Sequence, residues 1–67
     1  QLSGTVVALH VSVGDHVEEN DPIATIAAMK LELLVVAPER GRVMDTMVNV
    51  GEVVNTDTVI ARIEIHR

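Results

Sequence analysis

The chain has 67 residues, with 10 Asp plus Glu against 5 Lys plus Arg, 48% hydrophobic residues, no cysteine and no Phe, Tyr or Trp. A chain of this size buries only about 60% of the surface its unfolded form exposes, which leaves no deep cavity for a self-contained enzyme and fits one small domain over residues 1–67. Without cysteine there is neither a disulfide framework nor a thiolate zinc site. A net charge of −5 with no aromatic residue argues against nucleic acid, whose phosphates need Lys and Arg and whose bases need stacking partners.

No apolar run approaches the roughly 20 residues of a membrane span, and no basic segment leads into an apolar one, so no membrane partner is expected. The chain starts at Gln1 rather than Met, as expected of a chain processed or cut from a longer one. Valine and isoleucine dominate the apolar residues, and β-branched side chains favour pleated, half-buried surfaces, so the expected fold class is all-β. A shift of 37 positions lays Gly4–Ile26 over Gly41–Ile63 with nine identical pairs: Gly4/Gly41, Val6/Val43, Val11/Val48, Val13/Val50, Gly14/Gly51, Val17/Val54, Ile23/Ile60, Ala24/Ala61 and Ile26/Ile63. Two copies are too few for a solenoid, so the halves 4–26 and 41–63 are expected to face each other across an approximate dyad and share one core.

In chain order, each half reads as strand, turn, short strand, turn, strand. Val13-Gly14-Asp15 and Val50-Gly51-Glu52 place a residue that accepts positive φ between short apolar runs. Asn20 and Asp57, equivalent in the repeat, mark the second turn of each half, because Asn and Asp tolerate the left-handed region. Pro22 and Pro38 suit strand starts and turns. Several short strands at this spacing indicate a sandwich or closed barrel. Residues 27–34, Ala-Ala-Met-Lys-Leu-Glu-Leu-Leu, are strong helix formers, and propensity alone assigns a helix there. The repeat makes the preceding flank equivalent to Ile60–Ile63, however, so two strands meet near Met29-Lys30. Leu33, Val35 and Ala37 then point inward, with Leu34 and Val36 outward or half-covered.

Met29-Lys30 is an unusual hairpin tip, since two-residue turns favour Asn-Gly, Asp-Gly or Gly-X. A local rule broken without structural gain points to function, and Lys30 is the only lysine in the chain. A lone exposed lysine is ordinarily a solvated surface group; its neighbours change that. Ala28-Met29-Lys30-Leu31 resembles the Ala-Met-Lys-Met motif of biotinyl domains, the carrier modules of biotin-dependent carboxylases. Gly4-x-Val6, Val13-Gly14-Asp15-x-Val17, Ala37-Pro38-x-x-Gly41-x-Val43 and Val50-Gly51-Glu52-x-Val54 extend the resemblance over nearly the whole chain.

The resemblance implies a flattened β-barrel, a barrel-sandwich hybrid of two four-stranded antiparallel sheets with a quasi-two-fold axis. It makes Lys30 the covalent biotin attachment site, with Ala28, Met29 and Leu31 as the recognition motif. A biotin protein ligase would acylate the Lys30 amine. Biotin would then carry carboxylate between a biotin carboxylase and a carboxyltransferase on an arm on the order of 15 Å long, by summed bond lengths. The chain would be a carrier without catalytic residues, expected in the cytoplasm, with the mitochondrial matrix as the other compartment. Ala27 stands where the family usually has Glu, Leu31 where it has Met, and Asn20 where it has a turn glycine. Lipoyl domains, which serve 2-oxo acid dehydrogenase complexes, share the fold and the modified hairpin but usually read Asp-Lys-Ala at the tip. An unmodified structural barrel, as in adaptor proteins of export pumps, is the third reading and would not need Met-Lys there.

Other candidates read as structural. His10, His16 and His66 lack a ligand spacing, so no metal is expected. Glu18, Glu19, Asp21, Glu32 and Glu39 read as solvated turn and edge charges, and Met44 and Met47 as gap-filling or surface cover. Ser3, Ser12 and the threonines lack His-Asp company for a nucleophile. The expected core is Val6, Val11, Val13, Val17, Ile23 and Ile26, their partners Val43, Val48, Val50, Val54, Ile60 and Ile63, and Val35 with Ala37.

Overall fold

Alternating β-branched residues between glycine turns become strands throughout, as seen in a computed structural model that describes residues 3–55 and 58–65. Asp57 and His66, named above, lie outside the described residues. The strands are β1 (Ser3–Leu9), β2 (His16–Val17), β3 (Pro22–Ala28), β4 (Leu31–Val36), β5 (Gly41–Thr46), β6 (Val53–Asn55) and β7 (Ala61–Ile65). All the pairings are antiparallel, in one sheet ordered β4-β3-β1-β6 and a second ordered β2-β5-β7. The all-β, two-sheet expectation holds. The second sheet has three strands among the described residues rather than the four expected.

The repeat reappears in the backbone hydrogen bonds. Gly14 N–H donates to the Val43 carbonyl at 2.8 Å, and Gly51 N–H to the Val6 carbonyl at 2.7 Å, tying each first turn to the opposite half. Within those turns, Ser12 N–H donates to Asp15 Oδ2 at 2.9 Å and Asn49 N–H to Glu52 Oε1 at 3.1 Å, so each turn is closed by its own carboxylate. Gly14 and Gly51 have φ of 96° and 93°, which explains glycine at both. The β1–β3 register shifts between Val6 and Ala8, and the β5–β7 register between Val43 and Asp45. The skipped residues, Val7 and Met44, are again 37 apart. A bulge at the same place in each half bends both long strands alike, and bulges at such positions increase local twist.

The core consists of two clusters related by the same shift. Val11, Val17, Ile23, Ala24, Ala37 and Val43 form one; Val6, Ile26, Val48 and Val54 form the other. Val35 and Ile60 are half-buried and pack against both. Ala24, fully buried and absent from the expected core, turns inward because the β3–β4 register shifts between Pro22 and Ala24. One expectation fails. Val13 and Val50 are 62% and 61% exposed, since each enters a glycine turn outside the strands, where alternation no longer sets direction. Leu33 points inward as expected, sharing the inner face with Ile26, its cross-strand partner, and is 48% exposed.

At their closest approach the strands leave no room for a side chain. A Cβ on Gly4 would lie 2.7 Å from the Ala27 carbonyl oxygen, and one on Gly41 would collide with the Glu64 carbonyl oxygen. Gly41→Ala is therefore expected to lower the denaturant midpoint by more than an exposed Gly→Ala change would, by about 1–3 kcal/mol of overpacking. Ile26→Ala should cost about 2–4 kcal/mol, because Ile26 is 7% exposed, and the same change at half-buried Ile63 should cost less. Equal losses at 26 and 63 in chemical denaturation would contradict this ordering.

Candidate functional site: the β3–β4 hairpin

Propensity loses to pairing at residues 27–34. Six cross-strand pairs, from Pro22↔Val36 to Ala28↔Leu31, lock β3 to β4 and leave Met29 and Lys30 as a two-residue turn. The rule broken in the sequence is broken in the backbone too: Met29 has φ 58°, a left-handed conformation that costs a non-glycine residue about 1–2 kcal/mol. No gain in packing offsets that cost at Met29, which is 93% exposed. The turn holds its shape because the paired strands on either side impose it.

The two faces of the hairpin differ. Ala24, Ile26 and Ala28 with Leu31, Leu33 and Val35 make the inner face, and Thr25 and Ala27 with Glu32 and Leu34 the outer one. Near the tip the inner face passes beyond the second sheet: Leu31 is 68% exposed and Ala28 half-buried. Lys30 is exposed and makes no ion pair with any described residue. The four sequence-selected residues thus stand together, Met29 and Lys30 forming the turn and Ala28 facing Leu31 directly beneath it. Glu32 is the one carboxylate in residues 27–34, on the outer face opposite Ala27.

Sequence reasoning missed the uncovered flank below the tip. An apolar cleft of about 320 Å³ opens there, lined in part by Ile26, Ala28, Leu33, Val35, Val54 and Ile60. The alternation Leu31, Leu33, Val35 marks the face, but nothing in it indicates that the opposite sheet stops short. His10 and His16 take no part in the hairpin turn. His10 Nε2 lies 2.8 Å from Thr25 Oγ1 on the outer face of the first sheet, and His16 sits on β2 of the second. Among the described residues no three His, Asp or Glu side chains gather as metal ligands would.

The hairpin therefore presents an exposed lysine at a two-residue turn, flanked by exposed Met29 and Leu31 and based on a duplicated β-sandwich. Residues 2–63 match the family model described as "Biotin-requiring enzyme", the biotin/lipoyl model. The chain belongs to the biotin/lipoyl attachment family. The pyruvate carboxylase of Aspergillus niger is 37% identical over 62 residues, covering 92% of this chain and 5% of that protein. The biotin/lipoyl attachment protein of Bacillus subtilis is 32% identical over 90% of this chain and 82% of its own length. A Bacillus subtilis dihydrolipoyllysine-residue acetyltransferase component of the acetoin cleaving system is 40% identical over 60 residues, 90% of this chain and 15% of that one. Among solved structures, the Kluyveromyces lactis urea carboxylase superposes with a TM-score of 0.86 at 33% identity, over 94% of this chain and 6% of that one. This biotin/lipoyl domain therefore resembles the biotin carrier domains of carboxylases and spans about one-twentieth of the pyruvate carboxylases it matches.

The strained tip gives a direct check. Met29→Gly removes the left-handed penalty at a comparable cost in unfolded-chain entropy, so stability should change by less than about 1 kcal/mol. Met29→Val places a β-branched side chain at positive φ and should lose about 1–3 kcal/mol. Matching denaturation midpoints for the two variants would show that the turn does not impose that φ.

Proposed function

We propose that Lys30 is the covalent attachment site of biotin and that the chain is a biotin carboxyl carrier. The observation that carries this reading is the sole lysine at a two-residue hairpin turn between exposed Met29 and Leu31. Attachment is an amide bond formed when the Lys30 amine attacks an activated biotin carboxyl, with adenylate leaving and the amine proton passing to a base on the ligase. Lysine suits this because its nucleophile sits on a flexible four-carbon stem. Once bound, biotin supplies a ureido nitrogen that carries carboxylate.

The chain's own residues position. The paired strands fix where the arm begins, and Lys30 swings it from there. Tethering the arm's base raises the concentration of the prosthetic group at the sites it must visit, here those of a biotin carboxylase and a carboxyltransferase. Ala28, Met29 and Leu31 present methyl, thioether and isobutyl groups around the amine, an apolar surface for the ligase to read. No catalytic side chain of this chain is required.

The lipoyl reading is kept for one observation: a relative named for a lipoyl-bearing acetyltransferase is 40% identical over 60 residues. Met-Lys-Leu at the tip and the carboxylase relatives favour biotin. Coexpression with a biotin protein ligase or with a lipoate ligase, each with its cofactor, separates the two by intact mass and peptide mapping. The expected result is a biotin-sized increment on Lys30 in the first case and a bare chain in the second. A lipoyl increment without a biotin one would reverse the assignment, and a bare chain in both would favour an unmodified barrel. Lys30→Arg should abolish the increment while shifting stability by less than about 0.5 kcal/mol, as expected of an exposed substitution.

A further inference from the structure

The repeat matches the outer faces of the two sheets residue by residue. On the second sheet the outward cross-strand pairs are Arg42↔Glu64, Asp45↔Arg62 and His16↔Arg42. A shift of 37 positions relates them to Thr5↔Ala27, Ala8↔Thr25 and Thr5↔Val53 of the first sheet, in the same register. Arg42, Asp45, Arg62, Glu64 and His16 on one face thus correspond to Thr5, Ala8, Thr25, Ala27 and Val53 on the other. Each ionisable side chain has an uncharged equivalent. Packing does not require this, because the fold accepts charge at these positions: Arg62 Nη1 lies 3.5 Å from Asp45 Oδ2 on the second sheet.

β4, beside β3, adds Leu34 and Val36 to the uncharged face, and Leu34 and Val53 are 58% and 70% exposed. Glu32 is the only Asp, Glu, Lys or Arg in the four strands of the first sheet. Exposed apolar surface of this kind marks a contact with another macromolecule, and charge is depleted where such contacts are buried.

We propose that the outer face of the first sheet is where the ligase that acylates Lys30 docks, with an apolar surface and a cation set opposite Glu32. The inference rests on attachment at Lys30. Position selects the occupant, for the face runs directly into the hairpin tip: Ala27 and Glu32 lie just below it, and Thr25 is four residues, about 13 Å, from Met29. A ligase must bring an activated carboxyl within bonding distance of the Lys30 amine, so a footprint of roughly 800 Å² that includes the tip reaches down this face. Enzymes acting at the far end of an arm on the order of 15 Å can stand clear of the strands beneath it. A second copy is disfavoured, since it would bring two chains of net charge −5 together.

The test moves the pattern of each face onto the other. Ala8→Asp with Thr25→Arg sets the Asp45–Arg62 pair at its repeat position on the first sheet, and Asp45→Ala with Arg62→Thr makes the reverse change on the second. Biotin transfer by a biotin protein ligase, with biotin and ATP, is measured for both and for the unaltered chain, with denaturation midpoints to check folding. The first-sheet variant should raise KM for the chain at least about 10-fold with kcat little changed, because it buries charge in the docked complex. The second-sheet variant should match the unaltered chain. Leu34→Asp, an exposed change on the docking face, should raise KM in the same way and decides the matter if the double variant does not fold. An unchanged KM in a folded first-sheet variant, or an equal rise in the second-sheet variant, would overturn the docking face and leave Lys30 as the attachment site. An unaltered chain that accepts no biotin would overturn the attachment reading and this inference with it.

Discussion

The structure depends on packing aliphatic side chains between two sheets within which neighbouring strands approach until a glycine Cβ has no place. Gly4 lies against the Ala27 backbone and Gly41 against Glu64, once in each half. With no aromatic residue to fill volume, the interior is closed by valine, isoleucine and alanine, and small stiff side chains permit only a thin layer. The repeat relates Val11, Val17 and Val43 of one cluster to Val48, Val54 and Val6 of the other, so each half supplies part of the wall the other packs against. The turns that carry Gly14 and Gly51 donate across to Val43 and Val6, which makes the hydrogen bonding as reciprocal as the packing. Either half alone would expose its apolar face, and a free sheet face of that kind is not stable in water.

A thin, mutually dependent sandwich has its chemistry at the ends. The hairpin formed by β3 and β4 is anchored at Ile23, Ala24 and Ile26 in the core and passes beyond the second sheet by Leu31. Rigidity enters at the anchored end and appears at the other as a left-handed Met29 with almost no burial of its own. Lys30 follows that residue directly. Fold and site are thus linked through strand register: a one-residue slip of β4 would send Leu33 and Val35 to the outer face and remove Lys30 from the turn.

Much of this was legible in the sequence because duplication doubles each signal. Glycines at 14 and 51 with the valines around them located the turns, and the equivalence of residues 23–26 with 60–63 overrode a strong helix propensity at 27–34. The hairpin tip was readable for the opposite reason, as residues that satisfy no turn preference. What escaped the sequence was geometry at edges. Alternation continued through Val13 and Val50 predicts burial, but strand direction ends before the turn does. Leu33 has the composition and phase of a core residue, yet it lines an open apolar cleft and is 48% exposed. Ala24 went unnoticed because a register shift, invisible in composition, places two neighbouring residues inward.

We propose that Lys30 accepts its acyl group because of the folded hairpin more than because of the local motif. The most direct measurement compares biotin transfer by one biotin protein ligase to the intact chain and to an isolated peptide of residues 22–36, at equal concentration. This account predicts transfer to Lys30 of the chain and none measurable on the peptide, which has the same Ala-Met-Lys-Leu but no sandwich to hold its turn. Equal rates on the two would contradict it, since the motif would then act without the fold.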